Sequence, residues 1–514
     1  LHKEYRRQRQ MCIRDRLIIW HILLLEESYF MACRSCCTLL YLQKHRLFDR
    51  KWADLHMELI NKFCNSFLFW AAWIIIPVMM EIVPSVGSVL VLLKKHLFKK
   101  KILKPAIDPE ISLIIPIYNS MDTLEQCIQS IEDSDYPDSK IRIFLVNNQG
   151  QDNSFQVFCE CQRKFPGLHM QWLNAKQGKS KALNLALFNS EGKYIIHIDS
   201  DGLLERSALR NMVYRFENDQ SIECMTGVIL TEPKQVQAYP LVFPRILRKM
   251  EFMEYAQAFL AGRNYSAEIN AVYTLSGAFS AFRKSVVLKS QLYNTDTICE
   301  DTQITFQMKY LLKTKVGICE DAIFFVDPIE DLNKLYTQRQ RWQRGSLEVS
   351  HLFLKNKLKI RNMFTNVGVR TLVYDHTFAF PRLIWYLALI CLMCMNYSFA
   401  QVGYSTLFLY LLYVLIGFFD YISTVGFLKN FKEIRKYYAK QWYVLPLLPL
   451  FNLAVFFIRF AGVINSINTN SAWKTKNFTQ EKDSLCKTIT DDFAVVMRFI
   501  RKIRAIVNKP EEHV

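Results

Sequence analysis

The chain has 514 residues, 51% hydrophobic and 14% aromatic, with 65 Lys and Arg against 47 Asp and Glu for a formal charge of +18. That length holds one soluble domain of ordinary size plus membrane segments. The positive runs lie beside apolar stretches, as in Lys94, Lys95, His96, Leu97, Phe98 and Lys99 to Lys101, which is the pattern of cytoplasmic membrane flanks and argues against a nucleic-acid partner.

The 14 cysteines show no metal spacing. Cys33, Cys36 and Cys37 lack a second pair at zinc distance, and no secreted disulfide framework is visible, so the thiols read as reduced and structural. Residues 1–16 are polar and basic, and the apolar run 17–24 is too short to span a bilayer. Two readings cover residues 1–56: upstream translation before a native start at Met57, or a basic interfacial arm.

Residues 57–104 hold the first spanning segment and its basic flank. The apolar stretch 70–93 carries Glu81 and is interrupted by Pro77 and Pro84, as in a kinked, tilted helix. From 105 to 354 strands and helices alternate. Strands are expected at 111–117, 140–146, near 168–173 and at 193–198, with helices at 121–132 and 179–189 between them. That alternation predicts an α/β fold with a parallel, doubly wound sheet, and the basic run from Lys94 places it on the cytoplasmic side. Residues 355–376, where lysines punctuate an apolar stretch, read as an interfacial amphipathic helix. Between 377 and 466 lie three further spans, at 377–395, 404–428 and 442–464, and 467–514 is a basic tail. One span before the domain and three after it would put that tail outside, whereas its charge is that of a cytoplasmic segment. A re-entrant segment or a split first span reconciles the two.

Lys193 to Gly202 reads as a buried strand that ends in two carboxylates, Asp199 and Asp201. Acids at i and i+2 beyond a strand end face the crevice where ligands of open α/β sheets bind, and suit a divalent cation holding a diphosphate. An acidic turn capping the next helix is the other reading. Glu300 and Asp301 precede a helical run and read either as a chemical pair or as an N-cap pair. Arg341 and Trp342 form either a binding pair or a cation–π pair on a helix surface. His197, in mid-strand, reads as a core residue.

Six elements then occur in order. They are Pro116 to Asn119, Lys179 to Asn184 (Lys-x-x-Ala-Leu-Asn), Asp199-Ser200-Asp201, Ser276 to Phe279 with Phe282 and Arg283, Glu300-Asp301, and Gln338 to Trp342 (Gln-x-x-Arg-Trp). Together they resemble the membrane-integrated family 2 glycosyltransferases that make hyaluronan, chitin oligomers, poly-N-acetylglucosamine and cellulose. The stretch Glu254 to Arg263 with Asn147 to Gln149 further resembles a Gram-positive subgroup associated with an exosortase-type sorting system.

The resemblance implies a GT-A-like domain, with a mostly parallel sheet flanked by transmembrane helices, in a multi-pass protein of the cell membrane. It implies an inverting transfer from a nucleotide sugar, a UDP-sugar first, that elongates and exports an extracellular polysaccharide. The alternatives are a single addition onto a lipid acceptor and a catalytically silent glycan-binding or secretion component. Asp301 is implied as general base with Glu300 beside it. Pro116, Tyr118, Asn147, Lys179, Asp199 and Asp201 are implied in donor binding, with Asp201 and Asp199 on Mg2+ or Mn2+. Gly277, Gln338, Arg341 and Trp342 are implied at the acceptor and diphosphate. The partners are a nucleotide-sugar donor, a growing glycan or lipid acceptor, the lipid bilayer and, as an open possibility, a secretion component. One departure stands out: Asn147 occupies the place at the end of the second strand where the family usually has an acid facing the uracil edge.

Overall fold

The computed structural model describes residues 81–98, 102–295, 297–354, 389, 391, 393–395, 398–468 and 477–483. The expectations for 1–56, for the interfacial helix, for nearly all of the span at 377–395 and for most of the tail lie outside these residues, as does the first part of the span at 70–93.

After α1 (Val83–Leu97) the chain runs through β1 (Ile111–Ile117), α2 (Leu124–Glu132), β2 (Ile141–Asn147), α3 (Ser154–Lys164), β3 (His169–Asn174), α4 (Lys179–Asn189) and β4 (Tyr194–Ile198). β1 and α4 have the bounds expected from the sequence, and α2 starts three residues later than expected. Then come β5 (Gly202–Leu204), α5 (Ala208–Asn218), β6 (Ile222–Thr231), α6 (Pro233–Ala238) and α7 (Val242–Ala256), which continues through a π-helical segment (Gln257–Gly262) into α8 (Arg263–Glu268). β7 (Phe279–Arg283), α9 (Lys284–Val287), α10 (Glu300–Phe306), β8 (Lys315–Val326) and α11 (Leu332–Leu354) close the domain.

The strands form one eight-stranded sheet in the order β3-β2-β1-β4-β7-β6-β8-β5. The pairings β1–β2, β1–β4, β2–β3 and β6–β8 are parallel, so the sheet is mostly parallel. β7 runs antiparallel to both β4 and β6, and β5 antiparallel to β8. The mostly parallel sheet expected from the sequence is thus what the fold shows, with β7 and β5 as its antiparallel strands. The chain returns to β7 from the helical excursion α6–α8 rather than by a one-helix crossover, and enters between β4 and β6 from the opposite end.

Side-chain alternation decides the layers, since successive strand residues point to opposite faces. Leu113, Ile115 and Ile196 pack with Leu124 of α2, Phe158 of α3 and Leu209 of α5. Ile114, Phe144 and Ile195 pack on the other face with Ala182 and Leu187 of α4 and Ile304 of α10. Both faces are covered, as parallel strands require.

A third apolar cluster joins the domain to the C-terminal helices α12 (Phe399–Phe427), α13 (Lys432–Ala439) and α14 (Leu448–Asn468). It includes Val228 and Leu230 of β6, Phe252 of α7, Val91 of α1, Phe427, Tyr438 and Leu448. Among the described residues, 402–430 and 442–466 are helices of 29 and 25 residues, long and apolar enough to cross a membrane. The basic end of α1 also docks on the domain. Lys95 Nζ lies 2.7 Å from Glu320 Oε1 and 2.6 Å from Asn264 Oδ1, and Lys94 pairs with Glu268.

Candidate active site

β1 and β4 are neighbours, so the segments after their carboxyl ends meet. Past β1, Asn119 takes a left-handed backbone (φ 51°) and its Oδ1 accepts from Gln151 N–H at 2.8 Å. Asn tolerates that conformation better than most side chains. Ser120 Oγ lies 2.7 Å from Ser200 Oγ, both buried. This hydroxyl pair pins the residue between Asp199 and Asp201 and holds the two acids at the strand end. Gly202 has a packing reason, because a Cβ there would come within 2.3 Å of the Phe324 ring and 2.5 Å of Phe325 O. Pro116 is half-buried in β1, while Tyr118 is half exposed at its end.

Asn147 ends β2 beside Ile117. Its Oδ1 accepts from Gly150 N–H at 3.0 Å, and its Nδ2 donates to Asn174 Oδ1 at 3.2 Å. The amide thus folds the loop back on itself, and one side-chain N–H remains for a ligand. Asn148 Oδ1 accepts from Gly178 N–H at 2.5 Å, tying this loop to the start of α4.

Lys179, the first residue of α4, joins the two sides of the site. Its Nζ is 2.6 Å from Asp199 Oδ1, 3.2 Å from Glu300 Oε1 and 3.4 Å from Gly277 O. Burial works against the ammonium, but Asp199 and Glu300 outweigh it and hold its pKa well above the usual range. Asp301 receives N–H bonds from Thr302 at 2.6 Å and Gly277 at 3.2 Å. A Cβ on Gly277 would sit 3.2 Å from Asp301 Oδ2, so glycine lets the backbone approach the carboxylate. Burial and the Glu300 charge push the Asp301 carboxyl up to about 6 despite those bonds. The acid pair opens α10, and no side chain caps that helix. Asp301 accepts the N–H of the next residue, so a local helix-start contact and a place in the crevice coexist.

Gln338, Arg341 and Trp342 lie on α11. The carbonyl of Arg341 is 3.9 Å from the thiol of Cys299, the residue just before Glu300, which sets this turn of α11 against the acid pair. Trp342 lies beside Tyr255 and Phe259, with ring centroids 6.5 and 6.4 Å away. The Arg339 guanidinium covers its ring at 4.5 Å and pairs with Glu254 at 2.5 Å. One face of Trp342 is therefore occupied from within. Arg339 sits at an unspecified place of the Gln-x-x-Arg-Trp pattern, and nothing in the sequence separated it from a surface arginine. Gln338 Oε1 is enclosed with no hydrogen-bond partner among the described residues, an acceptor without its donor.

Asp201 keeps contact with solvent, yet the protein packed around it and the Asp199 charge push its carboxyl up to about 6. Among the described residues, no set of three or more His, Cys, Asp or Glu side chains is gathered for a metal. Two hard carboxylate oxygens facing a crevice do fit Mg2+ or Mn2+ of the kind that takes its other ligands from water and phosphate. Among the described residues Asp201 carries no ion pair, while Asp199 is shared with Lys179. His197 is 3% exposed and hydrogen-bonded through Nδ1 to Tyr293 OH at 2.8 Å. Burial pushes its pKa down to about 3, as suits a neutral core residue.

Residues 112–289 match the model of the family described as Glycosyl transferase family 2. The chain is 26% identical over 292 residues to a poly-beta-1,6-N-acetyl-D-glucosamine synthase of Staphylococcus aureus, a match covering 56% of this chain and 66% of that protein, just under two thirds. The synthase of the same description from Staphylococcus epidermidis is 24% identical over 277 residues, covering 53% and 64%. Among solved structures, a mannosyltransferase from Pyrobaculum calidifontis in complex with GDP-Man and Mn2+ covers 71% of this chain and 99% of its own at 16% identity, with a TM-score of 0.48. TarS residues 1–349 of S. aureus in complex with UDP-GlcNAc covers 51% and 79% at 14% identity, with a TM-score of 0.33. The sheet is GT-A-like, mixed and mostly parallel. With that sheet and this match, residues 112–289 carry a domain of the Glycosyl transferase family 2 type.

Proposed function

We propose that the protein is a membrane-bound inverting glycosyltransferase that elongates an extracellular polysaccharide from a UDP-sugar and passes it out through its own apolar helices. N-acetylglucosamine is the first sugar to test, because the curated relatives are named for its polymer. The observation that carries the reading is the meeting of Asp199 and Glu300 on Lys179 Nζ, with Asp301 next in the chain. Residues far apart in sequence thereby bring a donor side and an acceptor side to one crevice.

In this reading Asp301 accepts the proton of the acceptor hydroxyl, and a carboxyl pushed up to about 6 is both ionised at neutral pH and basic enough to do so. The freed oxygen attacks the anomeric carbon from the face opposite the diphosphate. The new C–O bond forms as the bond to the diphosphate oxygen breaks, the nucleoside diphosphate leaves, and configuration inverts with no covalent enzyme intermediate. Lys179 and Arg341 place positive charge beside the leaving diphosphate. Mg2+ or Mn2+, held by Asp201 and Asp199, would supply Lewis-acid stabilisation of that leaving group. Asn147 meets the base through its remaining N–H. Trp342 offers the ring surface that Arg339 leaves open to an acceptor sugar, and Gln338 Oε1 takes a sugar hydroxyl after a small opening of its surroundings.

The test is the full chain in detergent with UDP-N-acetylglucosamine and Mg2+ or Mn2+, reading UDP release and product length. A metal-dependent ladder of products is expected. A single added sugar would support transfer onto a lipid acceptor instead, and no UDP release from any UDP-sugar would sink the reading.

A further inference from the structure

The link between the two apolar helices is folded onto the domain. Tyr438 of α13 packs against Phe252 of α7, with ring centroids 6.0 Å apart, and Ile434 joins the same apolar cluster. Between α13 and α7 this leaves a cavity of about 320 Å³, lined by Lys249, Lys436, Lys440, Glu433, Tyr437 and Gln237. Three ammonium groups face one carboxylate there. Among the described residues none of the three lysines makes an ion pair. Lys436 lies in the last turn of α13 and Lys440 is its C-cap, so two positive charges gather at this helix end. Lys249 is aimed by Tyr443, donating to its hydroxyl at 2.6 Å with Nζ 5.3 Å from the ring centre.

The setting identifies the anion. α13 connects helices 402–430 and 442–466, so the cavity lies where these bilayer-length segments emerge. Trp442 is 64% exposed beside Tyr443 at the head of the second segment, and Leu241, Val242 and Phe243 are exposed at the start of α7. Exposed Trp and Tyr at helix ends sit at headgroup level, and basic pockets there attract anionic lipid. At about 30 Å³ per water, the cavity has room for a phosphodiester with several waters.

We propose that this cavity binds the phosphate headgroup of an anionic phospholipid of the membrane that the two helices cross. The inference rests on that spanning reading. The test is native mass spectrometry of the full chain in detergent with phosphatidylglycerol or phosphatidylcholine added. Phosphatidylglycerol is expected to be retained preferentially. The triple substitution Lys249→Gln, Lys436→Gln, Lys440→Gln is expected to weaken its retention roughly tenfold or more. The matching Lys→Arg triple, a control for folding, should keep it, and Glu433→Gln should strengthen it. Equal retention of the two lipids, or unchanged retention in the Gln triple, would overturn the site. Displacement of phosphatidylglycerol by inorganic phosphate at millimolar concentration would overturn the lipid as its occupant. A chain washed from membranes by alkaline carbonate would overturn the spanning reading and the lipid assignment with it. A chain that stays in the membrane but shows no headgroup preference overturns the site alone.

Discussion

The two halves of the catalytic sheet are built differently. The β1–β4 half consists of parallel strands joined by one-helix crossovers, and the polar residues Asn119, Asn147, Asp199 and Asp201 sit at or just past its strand ends. The half from β6 to α11 contains the antiparallel β7, the helical excursion before it and a long final helix, and its polar residues lie on helices. The first half is held by local repetition. The second is held by buried polar contacts between distant segments, and among the described residues Arg339 with Glu254 is its most enclosed ion pair. Disrupting those contacts should therefore cost the second half more than comparable changes cost the first.

The largest stability effect is expected at Arg339→Met. It strands Glu254 beside a buried aromatic cluster, for a loss of about 3–5 kcal/mol in chemical denaturation. Adding Glu254→Gln should recover part of that loss, because no charge is then left unpaired. Acidity should act next on turnover. Asp301 has its carboxyl raised to about 6, so it is ionised at pH 7 to 8 and takes up a proton as pH falls through 6. The rate at low donor concentration should then fall by up to roughly tenfold per pH unit below 6, read from initial rates across pH.

Gly277→Ala tests the close approach on the acceptor side. Its Cβ, 3.2 Å from Asp301 Oδ2, must displace the carboxylate, at a cost of about 1–3 kcal/mol in stability and with a fall in kcat. On the donor side, Ser200→Ala removes one hydroxyl pairing with Ser120 and should cost about 1 kcal/mol. The smallest effect is expected at Asn147→Asp, with stability changed by less than about 0.5 kcal/mol. Its signature is a lower KM for a UDP-sugar, because the acid usual in the family is restored at the end of β2.

The same contrast explains what the sequence revealed. Periodicity and flanking turns gave β1 and α4 to the residue, because each element and its neighbours are contiguous. β7 was not among the expected strands, and its direction depends on where the α6–α8 excursion returns, a non-local matter. Asp199, Asp201, Glu300 and Asp301 were visible as acids at element ends. Lys179, the partner shared by Asp199 and Glu300, read as a donor-binding residue, because no spacing rule links residues so distant. Ser200 and Arg339 fill the variable places of short patterns, where the residue is chosen by what packs behind it. The basic run that begins at the end of α1 was read from its charge as a membrane flank, and Lys94 and Lys95 also bind acids of the domain. Charge alone does not distinguish a solvated flank from a docked one.

The central claim is that Asp301, placed at the crevice by Gly277 and α10, takes the acceptor's proton. Single-turnover kinetics of Asp301→Asn with UDP-N-acetylglucosamine, alongside its donor affinity, tests it most directly. The account predicts unchanged donor binding and a rate lower by roughly 10²- to 10⁴-fold. A variant that turns over as fast as the wild type would contradict it.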